Sequence, residues 1–186
     1  MNYSTSPKEL DYYLDRLFPI ARSLTGNGNR ETFNILQEII PLETTEYPSG
    51  TSVYDWTVPD EWVIRDAYIK MPDGERLVNY HNCNLHVVGY SASIRQKMRF
   101  AELAPHLHSL EKKPEAIPYR TTYYQRDWGF CVSRAQYKEL QNTTGLLEVC
   151  IDSEFKSDGG MTVADFRISG ESDKEYLVST YCCHPS

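Results

Sequence analysis

The sequence predicts an α/β protein, and three changes of pattern along its 186 residues support that fold class. Before residue 42, apolar residues recur at the spacing of amphipathic helices. From Ser49 the pattern becomes that of short strands rich in β-branched and aromatic residues. From Leu147, strands and turns resume the α/β pattern, and the sequence ends in a short apolar run that is typical of a buried strand.

The first helix is predicted to begin after Ser6. Ser6 is an N-cap residue, Pro7 suits the first helical position, and Glu9 completes a capping box. Pro19 should kink this helix or divide it in two, because proline lacks the amide hydrogen that a helix interior requires. The apolar face consists of Leu10, Tyr13, Leu14, Leu17, Ala21 and Leu24.

A second helix is predicted to follow the glycine-rich turn at residues 26–29 and to end before Pro41. Its apolar face consists of Phe33, Leu36 and Ile40. Arg22 and Arg30 flank the turn. Two interpretations of these arginines are open: both are solvated, or they bind nearby carbonyl groups as a structural clamp.

The middle of the chain is predicted to be mainly β. Its turn at residues 72–75, Pro-Asp-Gly-Glu, should connect two strands of a hairpin. A helix is expected over residues 93–103, followed by a connection punctuated by proline. The predicted strands are 53–56, 62–71, 76–80 and 85–90.

Positive charge is concentrated between Arg95 and Arg126, where seven Lys or Arg residues stand against three Glu. This region either binds an anionic group or is ordinary solvated surface. The whole chain carries a net charge of −7, which argues against general nucleic-acid binding because that function needs a basic face.

Residues 117–131 are unusually aromatic. The rings either form the small core of a module or present a stacking surface for a ligand. Cys131 is expected to be a buried small hydrophobe, since no obvious base lies near it in the sequence. Ser133 and Gln136 form a second capping box, which predicts a short helix to about residue 141.

The last part of the chain should contain a strand at 147–155, a turn at 157–160 and a returning hairpin strand at 161–168. A buried strand at 175–186 is then expected to carry His184 at its end, where Pro185 stops the ladder. Ligands bind at the carboxyl ends of strands in open α/β sheets, so His184 is a candidate metal ligand. The alternative is a histidine that is bonded to backbone at a strand end.

Other classes of site are weakly supported. The spacing of His81, Cys83, His86, His106 and His108 lacks the paired pattern of a convincing metal site. The sequence contains no glycine-rich phosphate loop, nucleophile elbow or dinucleotide fingerprint.

The sequence predicts a cytoplasmic location. No apolar run approaches the roughly 18 residues of a membrane span, and the first residues do not resemble a signal peptide. The five cysteines, an odd number with Cys182 and Cys183 adjacent, do not resemble a disulfide framework.

Four motifs, in this order along the chain, carry a family resemblance. The first two are Arg22-Ser23-Leu24-Thr25-Gly26 and the run Trp-Thr-Val-Pro-Asp-Glu-Trp from Trp56 to Trp62. The third is Pro-Tyr-Arg-Thr at 118–121 with Trp-Gly-Phe-Cys at 128–131, and the fourth is Cys-His-Pro-Ser at 183–186. With them the chain resembles a bacterial family that has an aminopeptidase-like domain. In that family a domain of unknown function is inserted into a zinc-exopeptidase fold, and a winged helix follows at the C-terminus.

The resemblance implies an incomplete zinc-aminopeptidase-like α/β domain with an inserted, mainly-β α+β module. Residues 1–51 would be the helical part of the aminopeptidase-like domain, and residues 52–145 the inserted module. Residues 146–186 would supply strands that stop at the metal site. A buried strand at the end also lacks a crossover helix, so we expect this chain to be the N-terminal portion of a longer protein.

The resemblance also implies that His184 is the first histidine ligand of a zinc site in the full-length parent. Related enzymes use an Asp that bridges two metals and a Glu that acts as general base, and these would lie beyond Ser186. Related enzymes often have an Asp that orients this histidine at the position of Ser186, so the residue next to the ligand differs here. No catalytic residue is therefore expected within this chain.

The function expected for the parent is hydrolysis of a peptide or peptide-like substrate by a zinc-dependent aminopeptidase-like enzyme. Two alternatives remain. The fold could serve as a binding module that has lost catalysis, or the 186-residue chain could be an inactive gene fragment. The sequence does not predict an oligomeric state.

Overall fold

The computed structural model describes residues 6–183, which form a mixed α/β structure with several sheets. The chain divides into two compact units. One contains the chain up to Glu61 and from Phe155 onward, and the other is Trp62–Glu154. The helices are α1 Pro7–Leu17, α2 Asn27–Leu36, α3 Phe100–Leu103 and α4 Arg134–Asn142. The strands are β1 Glu43–Pro48, β2 Ser52–Val53, β3 Trp56–Thr57, β4 Glu61–Lys70, β5 Arg76–Asn79, β6 Ile94–Met98, β7 Leu107–His108, β8 Phe130–Cys131, β9 Leu147–Lys156 and β10 Gly160–Asp165.

Helix α1 begins with the predicted capping box. The Ser6 hydroxyl accepts a hydrogen bond from the Glu9 amide at 3.3 Å, and the Glu9 carboxylate accepts one from the Ser6 amide at 2.7 Å. The helix ends at Leu17 and does not resume after Pro19. The helix is therefore neither kinked nor divided at Pro19 but ends before it, so the prediction that its apolar face continues to Leu24 is wrong.

Helix α2 begins where the glycine-rich turn predicted it. Gly26 is the N-cap residue and has a φ of 103°, a backbone conformation that favours glycine. A Cβ at Gly28 would lie 1.9 Å from the carbonyl oxygen of Ala21, so this helix can approach the preceding chain only with glycine there. The helix ends at Leu36, before Pro41 as predicted.

In the first unit, β1 pairs with β10 in an antiparallel ladder that runs from Glu43 opposite Asp165 to Pro48 opposite Gly160. The predicted hairpin between 147–155 and 161–168 is wrong, although the turn at 157–160 is present. Alternating side chains indicate that a segment is a strand, but they do not identify the strand that pairs with it.

The second unit contains a four-stranded sheet in the order β5-β4-β9-β6. The predicted hairpin of β4 and β5 is confirmed, with Gly74 in the turn at a φ of 96°. Strand β6 is antiparallel to β9, from Ile94 opposite Ile151 to Met98 opposite Leu147. The sheet and α4 supply much of the buried core, which includes Ala67, Ile69, Val78, Leu103, Phe130, Val132, Leu140, Leu147, Val149 and Ile151.

Two local predictions in this unit are wrong. Residues 85–90 do not form a strand; Asn84–His86 is a 3₁₀ turn, and isolated bridges at Val87 and Gly89 follow it. The helix expected at 93–103 is instead β6 followed by the single turn α3. Ile94 and Met98 are four residues apart, a spacing that fits both a helix and a strand, and the ladder with β9 decides between them.

Helix α4 follows the second predicted capping box. The Ser133 hydroxyl accepts from the Gln136 amide at 3.2 Å, and the Gln136 side chain accepts from the Ser133 amide at 3.0 Å. Across residues 6–183, no helix has the length and apolar character needed to cross a membrane.

Candidate functional site

The segment that was predicted to carry the metal ligand does not form the predicted strand over its described residues. Residues 175–183 form no β-ladder, and the side chains of Tyr176 and Leu177 are each 94% exposed. The prediction of a buried strand is therefore wrong for this part, because an apolar run becomes a strand only when a neighbouring strand accepts its hydrogen bonds. His184 lies outside the described residues, and its role as a ligand stays a prediction.

The residues before His184 reach a cavity of about 830 Å³ in the first unit, which Cys182 and Cys183 help to line. Most of its wall is apolar and comes from α1, α2, β10 and the chain around them. The apolar lining includes Leu14, Leu17, Phe18, Leu24, Phe33, Leu36, Ile40, Leu42, Met161 and Val163. A cavity of this size is large enough for a small ligand or for several side chains of another segment.

Arg22 is the cationic residue of this cavity wall. Its Nη1 donates a hydrogen bond to the carbonyl oxygen of Leu17 at 2.9 Å, so the clamp interpretation is confirmed for this arginine. Burial lowers the pKa of Arg22. Burial also raises the pKa of the Cys182 thiol, and the positive charge of Arg22 offsets this effect only in part. Cys182 is therefore a neutral thiol at pH 7 rather than a nucleophilic thiolate.

A metal site would require several donors close together. Among the residues that the structure describes, no group of three or more His, Cys, Asp or Glu side chains could hold a metal ion. A catalytic zinc needs three protein ligands and one open position. Residues 6–183 therefore do not supply a zinc site by themselves.

Arg30 organises a cluster of charges elsewhere in the first unit. Its guanidinium donates to both carboxylate oxygens of Glu61 at 2.8 and 2.9 Å and to those of Glu46 at 3.0 and 3.1 Å. We call Arg30, Glu46 and Glu61 the Arg30 cluster. The arginine thus clamps carboxylates rather than carbonyls, so neither sequence-based interpretation of Arg30 is correct.

The surroundings of Glu61 hold it in place. The Gly160 amide donates to its Oε2 at 3.0 Å, and a Cβ on Gly159 would lie 2.3 Å from the Glu61 Cβ. Hydrogen bonds from Arg30 lower the pKa of Glu61 and also that of Glu46. Both carboxylates are ionised at pH 7 and share one guanidinium, so they stabilise structure and are poor candidates for a general base.

A second cavity, of about 380 Å³, lies within Trp62–Glu154. We call it the basic cleft, and its polar lining consists of His108, Ser109, Glu111, Arg120, Arg134 and Tyr137. Arg120 comes from the positively charged region seen in the sequence, whereas Arg134 lies outside it. No sequence motif marks Arg134 as a binding residue; its position directly after the Ser133 cap is the available signal.

His108 is neutral in the basic cleft. Burial lowers its pKa first, and the positive charge of Arg120 lowers it further. The His108 Nδ1 lies 3.2 Å from Arg120 Nη1. Because a guanidinium can only donate, this ring nitrogen acts as the acceptor, and His108 orients Arg120 rather than competing with it for an anion.

The compact unit Trp62–Glu154 nearly coincides with a match to a known family model. Residues 61–154, slightly more than half of the chain, match the family described as Domain of unknown function (DUF2172). The chain belongs to the DUF2172 family. The predicted module boundaries at 52 and 145 stay predictions, and we refer to Trp62–Glu154 as the DUF2172 domain.

The chain is also similar to longer proteins of Clostridium acetobutylicum. It is 43% identical over 185 residues to one named "Putative polysaccharide biosynthesis protein with aminopeptidase-like domain", a match that covers 100% of this chain and 42% of that protein. A crystal structure of a "putative peptidase" from the same organism matches with a TM-score of 0.90 and 43% identity, over 96% of this chain and 42% of that one. The chain spans about two-fifths of the length of these relatives.

In the DUF2172 domain the histidines and Cys131 have structural contacts. The buried His86 forms a hydrogen bond between its Nδ1 and the Cys131 carbonyl oxygen at 2.7 Å, and the His106 ring stacks on Trp128 at 3.7 Å between centroids. Cys131 is fully buried, as predicted, and burial raises its pKa to about 12. It is therefore not a nucleophile at neutral pH.

The aromatic block contributes to the interior of the DUF2172 domain at several positions. Tyr123 meets the buried Tyr90 edge-on at 4.9 Å, Tyr90 stacks on Trp62 at 5.8 Å, and Phe130 is fully buried. Tyr124, by contrast, is 86% exposed. These contacts favour the core interpretation of the block over a continuous stacking surface.

Proposed function

We propose that this chain is part of a zinc-dependent aminopeptidase-like hydrolase that acts on a peptide or peptide-like substrate in the cytoplasm. The observation that carries the proposal is the 43% identity, over 185 residues, to a protein whose name includes an aminopeptidase-like domain. The TM-score of 0.90 to a structure named "putative peptidase" supports the same class. The relatives are more than twice as long, so the activity is proposed for the whole protein.

The proposal assigns no catalytic base to this chain. Hydrogen bonds from arginines lower the pKa of several of its carboxylates: Glu46 and Glu61 beside Arg30, and Asp152 beside Arg65. A base must be able to take up a proton near neutral pH, and hydrogen bonds from an arginine oppose that. The residue that performs this step is therefore proposed to lie on polypeptide outside the 186-residue sequence.

Zinc would supply Lewis-acid activation of the scissile carbonyl when it is bound. His184 is the one ligand that we assign within this chain, on the strength of the family resemblance. The remaining ligands are assigned to the part of the full-length protein that this sequence does not contain.

The test uses the full-length gene product, its zinc content by mass spectrometry and its cleavage of leucine p-nitroanilide. His184→Ala should lower both zinc content and cleavage, because a three-ligand site loses one of its donors. The matched control is His81→Ala, which removes a largely exposed imidazole of the DUF2172 domain and should change neither quantity.

Unchanged zinc content in the His184→Ala protein would refute the assignment of the ligand. A zinc-loaded wild-type protein that cleaves no aminoacyl anilide or dipeptide in a broad panel would refute the peptidase and favour a non-catalytic binding function.

A further inference from the structure

We propose that the basic cleft of the DUF2172 domain binds the oxyanion group, phosphate or carboxylate, of a small-molecule ligand. The cavity volume of about 380 Å³ is within the range of small-ligand sites. Its lining contains Arg120 and Arg134 but only one carboxylate, that of Glu111. This proposal concerns the DUF2172 domain and does not depend on the peptidase activity proposed above.

The two cleft arginines differ from the arginines that have structural roles in this protein. Arg16, Arg30, Arg65 and Arg76 each hold a carboxylate with at least one nitrogen–oxygen distance of 2.6–3.0 Å. Arg134 approaches Glu111 only to 3.5 Å, and the Glu111 side chain is 82% exposed. Within residues 6–183, Arg120 forms no ion pair, and its side-chain contact is His108.

Guanidinium groups without a close carboxylate retain donors for an incoming anion. Arginine presents its donors in a planar fork that matches phosphate and carboxylate oxygens. Placing two such groups in one cavity creates mutual repulsion, which a bound oxyanion would relieve. Burial is the main cause of the lowered pKa of His108, and the positive charge of Arg120 lowers that pKa further.

The backbone beneath the cleft is held in place. The Arg120 carbonyl accepts from the Gly89 amide at 2.8 Å, and the Arg134 amide donates to the Pro114 carbonyl at 2.8 Å. His108 lies on β7, which pairs with β8, and its carbonyl accepts from the Val132 amide at 2.9 Å. These main-chain bonds fix the positions from which the two arginine side chains extend, so little backbone freedom is lost when a ligand binds.

The side chains of the cleft are arranged around the arginines. The Arg134 guanidinium lies over the Tyr137 ring at 4.8 Å, and its Nη1 is 3.5 Å from the Ser109 hydroxyl. The stacked ring holds the guanidinium through a cation–π contact while its edge donors remain available. Glu111 competes with an external anion for Arg134, so it should weaken binding without blocking it.

The experiment is an NMR titration of the ¹⁵N-labelled 186-residue chain with sodium phosphate and, separately, with sodium acetate, at constant ionic strength. We expect saturable shifts at backbone amides around the cleft. Arg120→Gln should weaken binding by about tenfold, because it removes a charge-assisted hydrogen bond. Tighter binding of phosphate would assign a phosphorylated ligand, and tighter binding of acetate a carboxylated one.

Two further variants make the test specific. Arg95→Gln removes an exposed arginine on β6, away from the cleft, and should leave binding unchanged. Glu111→Gln removes the competing carboxylate and should tighten binding. Shifts in the wild-type chain that do not saturate with either anion would overturn the proposal, as would equal binding by the wild-type and Arg120→Gln proteins.

Discussion

The Arg30 cluster and the basic cleft use arginine in opposite ways. In the cluster, one guanidinium is shared by two carboxylates at 2.8–3.1 Å, so its charge is more than neutralised. In the cleft, Arg134 lies 3.5 Å from the exposed carboxylate of Glu111, and Arg120 forms no ion pair within the described residues, so positive charge remains. An arginine with a close carboxylate partner therefore has a structural role, whereas an arginine without one is a candidate to bind a ligand.

Among the substitutions that compare these two regions, removal of the Glu61 carboxylate should have the largest effect on the free energy of unfolding. Glu61→Ala leaves Arg30 with a single carboxylate and leaves the Gly160 amide without its acceptor. Loss of a partly buried, hydrogen-bonded ion pair should lower the free energy of unfolding by about 2–3 kcal/mol, less than for a fully buried pair because Arg30 is partly exposed. Urea denaturation followed by circular dichroism measures this quantity.

The matched control for that change is Glu154→Ala, which removes an exposed carboxylate from Arg65. An exposed pair contributes about 0–1 kcal/mol, so this variant should stay close to the wild type. Equal destabilisation by the two substitutions would contradict the distinction between a structural cluster and a surface pair.

The pH dependence of the Arg30 cluster should be intermediate in size. The pKa of Glu61 in the folded protein is below its ordinary value of 4.5, so the folded state binds fewer protons than the unfolded state. The stability that this pair contributes is therefore complete above pH 4.5 and is lost as the pH falls through the lower, folded pKa. The stability difference between the wild-type and Glu61→Gln proteins should shrink over that window.

Urea denaturation of both proteins at several pH values between 7 and 3 checks this expectation. A difference that stays constant over the whole range would show that ionisation of Glu61 contributes nothing to stability. The control is the stability difference between the wild-type and Glu154→Gln proteins, which should remain small at every pH.

The smallest effect on stability is expected in the cleft. Arg120→Gln removes an exposed side chain that forms no ion pair within the described residues, so the free energy of unfolding should change by about 0.5 kcal/mol or less. The same substitution is expected to weaken anion binding strongly. A loss of stability as large as that of Glu61→Ala would mean that Arg120 has a structural role after all.

The candidate sites were only partly accessible to sequence analysis. The charge excess at 95–126 indicated that an anion site was possible, but Arg120 and Arg134 are 14 positions apart and reach one cavity only through the fold. The partners of Arg30 are 16 and 31 positions away, so the cluster left no local signal. His184 was assigned as a metal ligand through the family resemblance, and no contact within the described residues tests that assignment.

The sequence by itself determined the features whose interactions span only a few residues. These are the capping boxes at Ser6 and Ser133, the end of α1 before Pro19, the turn through Gly26 and the hairpin around Gly74. Each depends on a local hydrogen bond, a missing amide hydrogen or a backbone angle that one residue type adopts, so the pattern of residues is sufficient to predict it.

Only the tertiary structure decided which strands pair and which apolar segments are buried. Strand β9 lies between β4 and β6, whereas β10 pairs with β1, and residues 175–181 remain exposed despite an apolar pattern similar to that of a core strand. The physical reason is that strand pairing and burial are satisfied by groups far away in the sequence. An apolar pattern states that a segment can be buried, but the partner that buries it comes from elsewhere in the fold.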